Sequence, residues 1–166
     1  GSIMSPANSQ MAALPAARSG WIRWLPAIVW MALIFWGSTD ALSARHTSRF
    51  LAPLLRWLAP GIEESTIAQV QWVIRKGGHA FEYAVLAGLY LRALRRPAGS
   101  GAGRGRAGRM AAAAWLLAVA YALSDEWHQS WVASRYGSAL DVGVDALGAL
   151  AGVWIVSIWS ARRERR

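Results

Sequence analysis

MAAAAWLLAVAYALSDEWHQSW, residues 110–131, decides the fold of this chain. It is apolar from Met110 to Leu123 and then turns abruptly polar at Ser124, Asp125, Glu126, Trp127, His128 and Gln129. A helix needs ~20 mostly apolar residues to cross a bilayer, because lipid offers no partner to peptide N–H and C=O groups. The stretch therefore predicts a transmembrane helix whose last turns carry polar chemistry.

Three further stretches share this construction. Residues 21–36 are apolar, with Arg23 at the entrance and Trp near both ends, where amphipathic rings settle at the interface. Residues 67–94 carry Arg75, Lys76, His79 and Glu82 in their first half and become uninterruptedly apolar only from Ala84, so the early half must face protein or water. Residues 140–159 open with Asp141 and Asp145, followed by Gly148 and Gly152 on the same stripe. The expectation is an all-α membrane protein with four transmembrane helices.

Between the first two spans, residues 42–58 mix Phe50, Leu51, Leu54, Leu55, Trp57 and Leu58 with Arg45, Arg49 and Arg56. This predicts an interfacial amphipathic segment, one or two short helices interrupted at Pro53. His46, beside Arg45, reads as solvated. Residues 97–108 are rich in Gly, Ala, Ser and Arg and predict a flexible loop. Residues 1–20 read as a disordered tail with a tag remnant ahead of Met4, without the charge, apolar core and cleavage order of a signal peptide. Residues 21–160 form the membrane domain and 161–166 a basic tail.

Composition agrees. Of the 166 residues 55% are hydrophobic and only 16% charged, with eleven Trp, which is the balance of a membrane chain. The absence of Cys excludes disulfides, thiolate metal sites and a Cys nucleophile. A net charge of +9 would suggest nucleic acid in a soluble protein, but these arginines flank apolar segments, as orientation signals do, and no nucleic acid partner is expected. Twelve basic residues and one acid, Glu164, fall in the N-terminal end, the middle loop and the C-terminus; the opposite side carries six basic residues and eight acids. Both termini are therefore expected in the cytoplasm, and the polar ends of the spans on the extracytoplasmic side. The basic middle loop also suits contact with anionic lipid.

Helical spacing gathers the polar residues. Lys76, His79 and Tyr83 follow at steps of three and four, with Glu82 beside them; Tyr121, Asp125 and His128 share one stripe and Glu126 and Gln129 the next; Asp141 and Asp145 lie above Gly148 and Gly152. Ionisable groups at membrane depth cost ~2.5–3.5 kcal/mol each, so their number implies mutual pairing or a water-filled cavity. One reading is structural, with Lys76 and Arg135 neutralising Asp125, Asp141 or Asp145. Two others are chemical. His79, Glu82, Asp125, Glu126 and His128 are candidate ligands of a divalent metal such as zinc or manganese, although no HExxH spacing is present. Alternatively His79 or His128, tuned by Glu82 or Asp125, acts as general base. Lys76 and Arg135 then clamp an anionic head group beside Tyr83, Gln129, Asp141 and Asp145. Trp127 and Trp131 are placed to wall a lipid or sugar site.

The set Lys76-x-x-His79-x-x-x-Tyr83, Asp125-Glu126-x-His128-Gln129, Arg135, Ser138, Asp141 and Gly148-x-x-x-Gly152, with Ser38-Thr39 after the first span, resembles the VanZ-like family of bacterial membrane proteins. The resemblance runs from the first span to the fourth. It departs at Ala133-Ser134, where the family often has Pro-Gly, and at Asp145, where Asn is common. It implies a protein of the cytoplasmic membrane and cell envelope, of the kind associated with resistance to the glycopeptide teicoplanin. An outward polar pocket is then placed to meet membrane lipid, a lipid-linked envelope precursor or the antibiotic itself. Two functions stay open: a hydrolase or transferase acting on a lipid head group, and a non-enzymatic scaffold or binding protein with a structural charge network. A proton-coupled transporter is disfavoured by four spans without an internal repeat.

Overall fold

The computed structural model describes residues 19–38, 44–95, 104–131 and 138–163, and all regular structure among them is helical. A single turn, α1 (Ser19–Ile22), precedes α2 (Leu25–Gly37), whose proline falls in the first turn, where a missing N–H is harmless. Then come α3 (Ala44–Leu58), α4 (Glu64–Leu94), α5 (Arg104–Gln129) and α6 (Ala139–Arg163). Among the described residues three stretches are long and apolar enough to cross a membrane: Gly20–Gly37, Gly105–Gln129 and Ala139–Arg163. Their outward faces are apolar, with Ile28, Leu33, Leu116, Leu117, Leu147 and Ile155 among the exposed side chains, as contact with lipid requires.

Helix α4, at 31 residues, is the longest element and packs against α2, α3, α5 and α6. Its pairing with α6 is the most extensive of these. A Cβ on Gly148 would overlap the carbonyl of Ala80, and one on Gly152 the carbonyl of Ala84, so only glycine permits this contact. Lys76 meets Asp141, Ala84 meets Gly152 and Arg95 meets Ser160, positions that rise together along both helices, so the two run parallel. An apolar groove of about 590 Å³ runs along the same two helices, lined by Phe81, Val85, Leu89 and Val156, with Arg92 and Arg95 at one end. Elsewhere the core is built from small residues, Ala87, Ala114, Ala118, Ala122 and Ala149, around Tyr83, Leu86 and Leu91.

Helix α2 is attached differently. Trp30 Nε1 donates to the carbonyl of Glu82 at 2.9 Å, and the Tyr121 hydroxyl donates to the carbonyl of Met31 at 2.7 Å. At its other end Arg23 donates to the carbonyl of Arg92 at 3.4 Å. Arg23, Arg92, Arg95 and Arg163 thus collect at one end of the bundle, the last stacked 3.7 Å over Trp159.

Two local expectations change. Pro53 does not divide its segment: α3 runs through it as one helix. The carbonyl that Pro53 leaves without an amide belongs to Arg49, which is exposed, so water can serve it. Helix α5 also starts earlier than the apolar stretch, at Arg104, with Arg and Ala carrying the helix through Gly105 and Gly108. The expected tail up to residue 18, the loop at residues 97–103 and Arg135 lie outside the described residues.

Candidate functional site

The polar residues resolve into two neighbouring clusters with α4 common to both. The first centres on Asp125, 3% exposed, near the end of α5. One oxygen, Oδ2, accepts from Ser38 Oγ at 2.9 Å, from Gln129 Nε2 at 3.0 Å and from the Tyr83 hydroxyl at 3.3 Å. Gln129 reaches Ser38 as well, at 3.4 Å. The end of α2, the middle of α4 and the last turn of α5 are tied through one carboxylate. Ser38 is the member whose role spacing alone did not assign; its signal was the Ser38-Thr39 pair at the end of the first span.

The second cluster lies where α4, α5 and α6 meet. Lys76, buried, forms an ion pair with Asp141 in the first turn of α6, and its ammonium sits 5.8 Å from the centre of the Trp72 ring. One turn further along, His79 Nδ1 lies 3.6 Å from Asp145 Oδ1. Asp145 is 1% exposed, and neither of its oxygens accepts a hydrogen bond among the described residues. Glu126, also buried, accepts the backbone N–H of Ser138 at 2.8 Å through Oε2 and so anchors the start of α6 to α5. His79, Glu126 and Asp145 each offer a ligand atom within 4.8 Å of the other two.

Of the other residues singled out in the sequence, Glu82 and His128 are not members of that trio. Glu82 is half-buried on α4. The His128 ring stacks on Phe35 of α2, centroids 4.6 Å apart, and its Nδ1 is buried without a hydrogen-bond partner among the described residues. Trp127 and Trp131 meet edge to face at 6.4 Å and are both exposed. The two histidines that share helical stripes in the sequence therefore serve different contacts: His79 faces α6, and His128 faces α2. Close approach of α6 at Gly148, one turn from Asp145, selects Asp145 as the partner of His79.

Apolar helices facing outward, with acids, a lysine and a histidine gathered at one end of the bundle, define a polytopic membrane protein. The chain belongs to the VanZ/LLP1 family, whose family model matches residues 23–160. No curated protein and no solved structure matches it.

Proposed function

We propose that the polar end of the bundle binds the anionic head group of a membrane lipid or lipid-linked envelope precursor, at the extracytoplasmic face of a bacterial cytoplasmic membrane. In this reading α4 is the fourth span. From Lys76 onward it runs beside α6, and residues 77–94 cover about 27 Å at ~1.5 Å per residue, close to the ~30 Å of a hydrocarbon core. Its polar first turns then project from the membrane. Helix α3, with Phe50, Leu54, Trp57 and Leu58 exposed, lies along the surface.

The observation that carries the reading is the gathering of Lys76, His79, Glu126, Asp141 and Asp145 at the end opposite Arg23, Arg92, Arg95 and Arg163. A head-group phosphate can replace Asp141 on the Lys76 ammonium, with Arg135 as a second cation, since charge-assisted bonds to phosphate are strong. A glycopeptide with an acyl chain, such as teicoplanin, acts on precursors in the same leaflet. A protein that engages those precursor head groups changes what the antibiotic meets.

The test uses the double variant Lys76→Met/Asp141→Asn, which removes both charges together and so leaves neither buried alone. In nanodiscs of mixed phosphatidylglycerol and phosphatidylcholine, supplemented with a polyprenyl phosphate, the wild type should retain anionic lipid and the double variant should lose that preference. Equal retention of neutral and anionic lipid by the wild type sinks the proposal. A second reading, a non-enzymatic scaffold, is favoured by Asp125, whose three donors all come from the protein itself. It expects Asp125→Asn to weaken the fold in detergent while lipid retention per folded molecule stays unchanged; intact stability with lost retention would count against it.

A further inference from the structure

We infer that His79, Glu126 and Asp145 form a binding site for one divalent transition cation, of the zinc or manganese class, at the junction of α4, α5 and α6. The three donors are one imidazole nitrogen and two carboxylates, a set that suits these ions, while the imidazole disfavours calcium and magnesium. Their ligand atoms lie within 4.8 Å of one another. Ligands ~2.0–2.2 Å from a common ion stand about 3–3.5 Å apart, so small side-chain rotations close the shell.

A second observation points the same way, and it comes from comparing two aspartates of equal burial. Asp125, 3% exposed, has three donors on Oδ2, whereas Asp145, 1% exposed, has none on either oxygen among the described residues. A buried carboxylate without donors is costly unless a cation meets it. Asp145 is aimed at His79, its Oδ1 3.6 Å from Nδ1. The site is also preorganised. Gly148 sets the α6 backbone against Ala80, which fixes the spacing between His79 and Asp145, and the Ser138 N–H orients the Glu126 carboxylate.

Three protein ligands leave a coordination position open, as catalytic and substrate-binding zinc sites do. The Lys76–Asp141 pair lies one turn away on the same two helices, so the ion would take a phosphate oxygen of the head group while Lys76 holds another. This last step rests on the head-group proposal; the cation site itself does not.

The experiment is metal quantification on the purified full chain in detergent, stripped with EDTA and dialysed against zinc or manganese chloride, with no lipid added. The wild type should keep about one ion per chain, and Co²⁺ loading should give visible d–d absorption. Asp145→Ala and His79→Ala should each bind at least about tenfold more weakly, while Glu63→Gln should match the wild type. A wild type without a retained ion overturns the inference, as does an Asp145→Ala protein that keeps it. Should Asp145→Ala fail to fold, Asp145→Asn and His79→Gln preserve volume, and an unchanged Co²⁺ spectrum in both overturns the site. Repeating the lipid-retention assay with and without the ion separates the two proposals: an ion bound without any lipid preference supports the cation site and defeats the head-group reading alone.

Discussion

Helix α6 lies on α4 backbone to backbone, whereas α2 is moored to its neighbours by side chains that reach peptide carbonyls. Both solutions answer one problem. Lipid is as apolar as leucine, so burying apolar surface between helices gives no net drive in a membrane, and packing or hydrogen bonds must replace it. On the α4–α6 side Gly148 and Gly152 let carbonyls of Ala80 and Ala84 approach to contact, so many weak dispersion contacts accumulate. On the α2 side Trp30, Tyr121 and the Ser38–Asp125–Gln129 group supply a few directional bonds. The difference teaches where rigidity lies. A steric lock has no alternative arrangement of similar energy, but a hydrogen bond can be exchanged for water at the membrane edge.

The contrast can be broken at its strongest point first. Gly152→Val drives a side chain into the Ala84 carbonyl and should cost about 3 kcal/mol or more; thermal unfolding in detergent should show a large loss of stability, and a wild-type curve would refute the steric lock. Asp125→Ala leaves the donors of Ser38, Tyr83 and Gln129 without their shared acceptor, with an expected loss of about 1–3 kcal/mol in the same assay. Tyr121→Phe removes one interhelical bond and should cost about 0.6 kcal/mol, a loss comparable to that of Gly152→Val meaning that α2 is locked after all. Gly88→Ala sharpens the picture from the other side. Its Cβ would meet only the Val156 Cγ2 at 3.1 Å, a methyl that can turn away, so stability should move by less than about 1 kcal/mol. The smallest effect belongs to Arg56→Gln. The Arg56–Glu64 pair is 2.7 Å long but 54% and 73% exposed, and its loss should change stability by no more than about 0.5 kcal/mol.

Much of this architecture was legible in the residues, for identifiable reasons. Apolar runs and their polar interruptions mark the long helices because the bilayer demands internal hydrogen bonding, and the chain obeys that demand at α2, α5 and α6. The stripe Asp141, Asp145, Gly148, Gly152 pointed to a close helix contact, since small residues at that spacing have few other uses in lipid. Which helix would meet it was not legible. Spacing places His79 and His128 on stripes but does not say toward which neighbour each stripe turns, and their different partners, Asp145 and Phe35, depend on rotations set by the whole bundle. Two local readings moved for different reasons: Pro53 sits in helix because its surroundings permit it, against its propensity, whereas α5 reaches back to Arg104 on the helix propensity of its Arg and Ala residues.

The parallel course of α4 and α6 joins assembly and chemistry in one angle. Lys76 with Asp141, His79 with Asp145, Ala80 with Gly148 and Ala84 with Gly152 are successive teeth of a single rack. A residue added to α4 between His79 and Ala84 would turn everything beyond it by about 100°. His79 would stay engaged while Ala84 swung off its glycine. Holding the polar site and the glycine contacts together therefore requires an unbroken helical phase between His79 and Ala84.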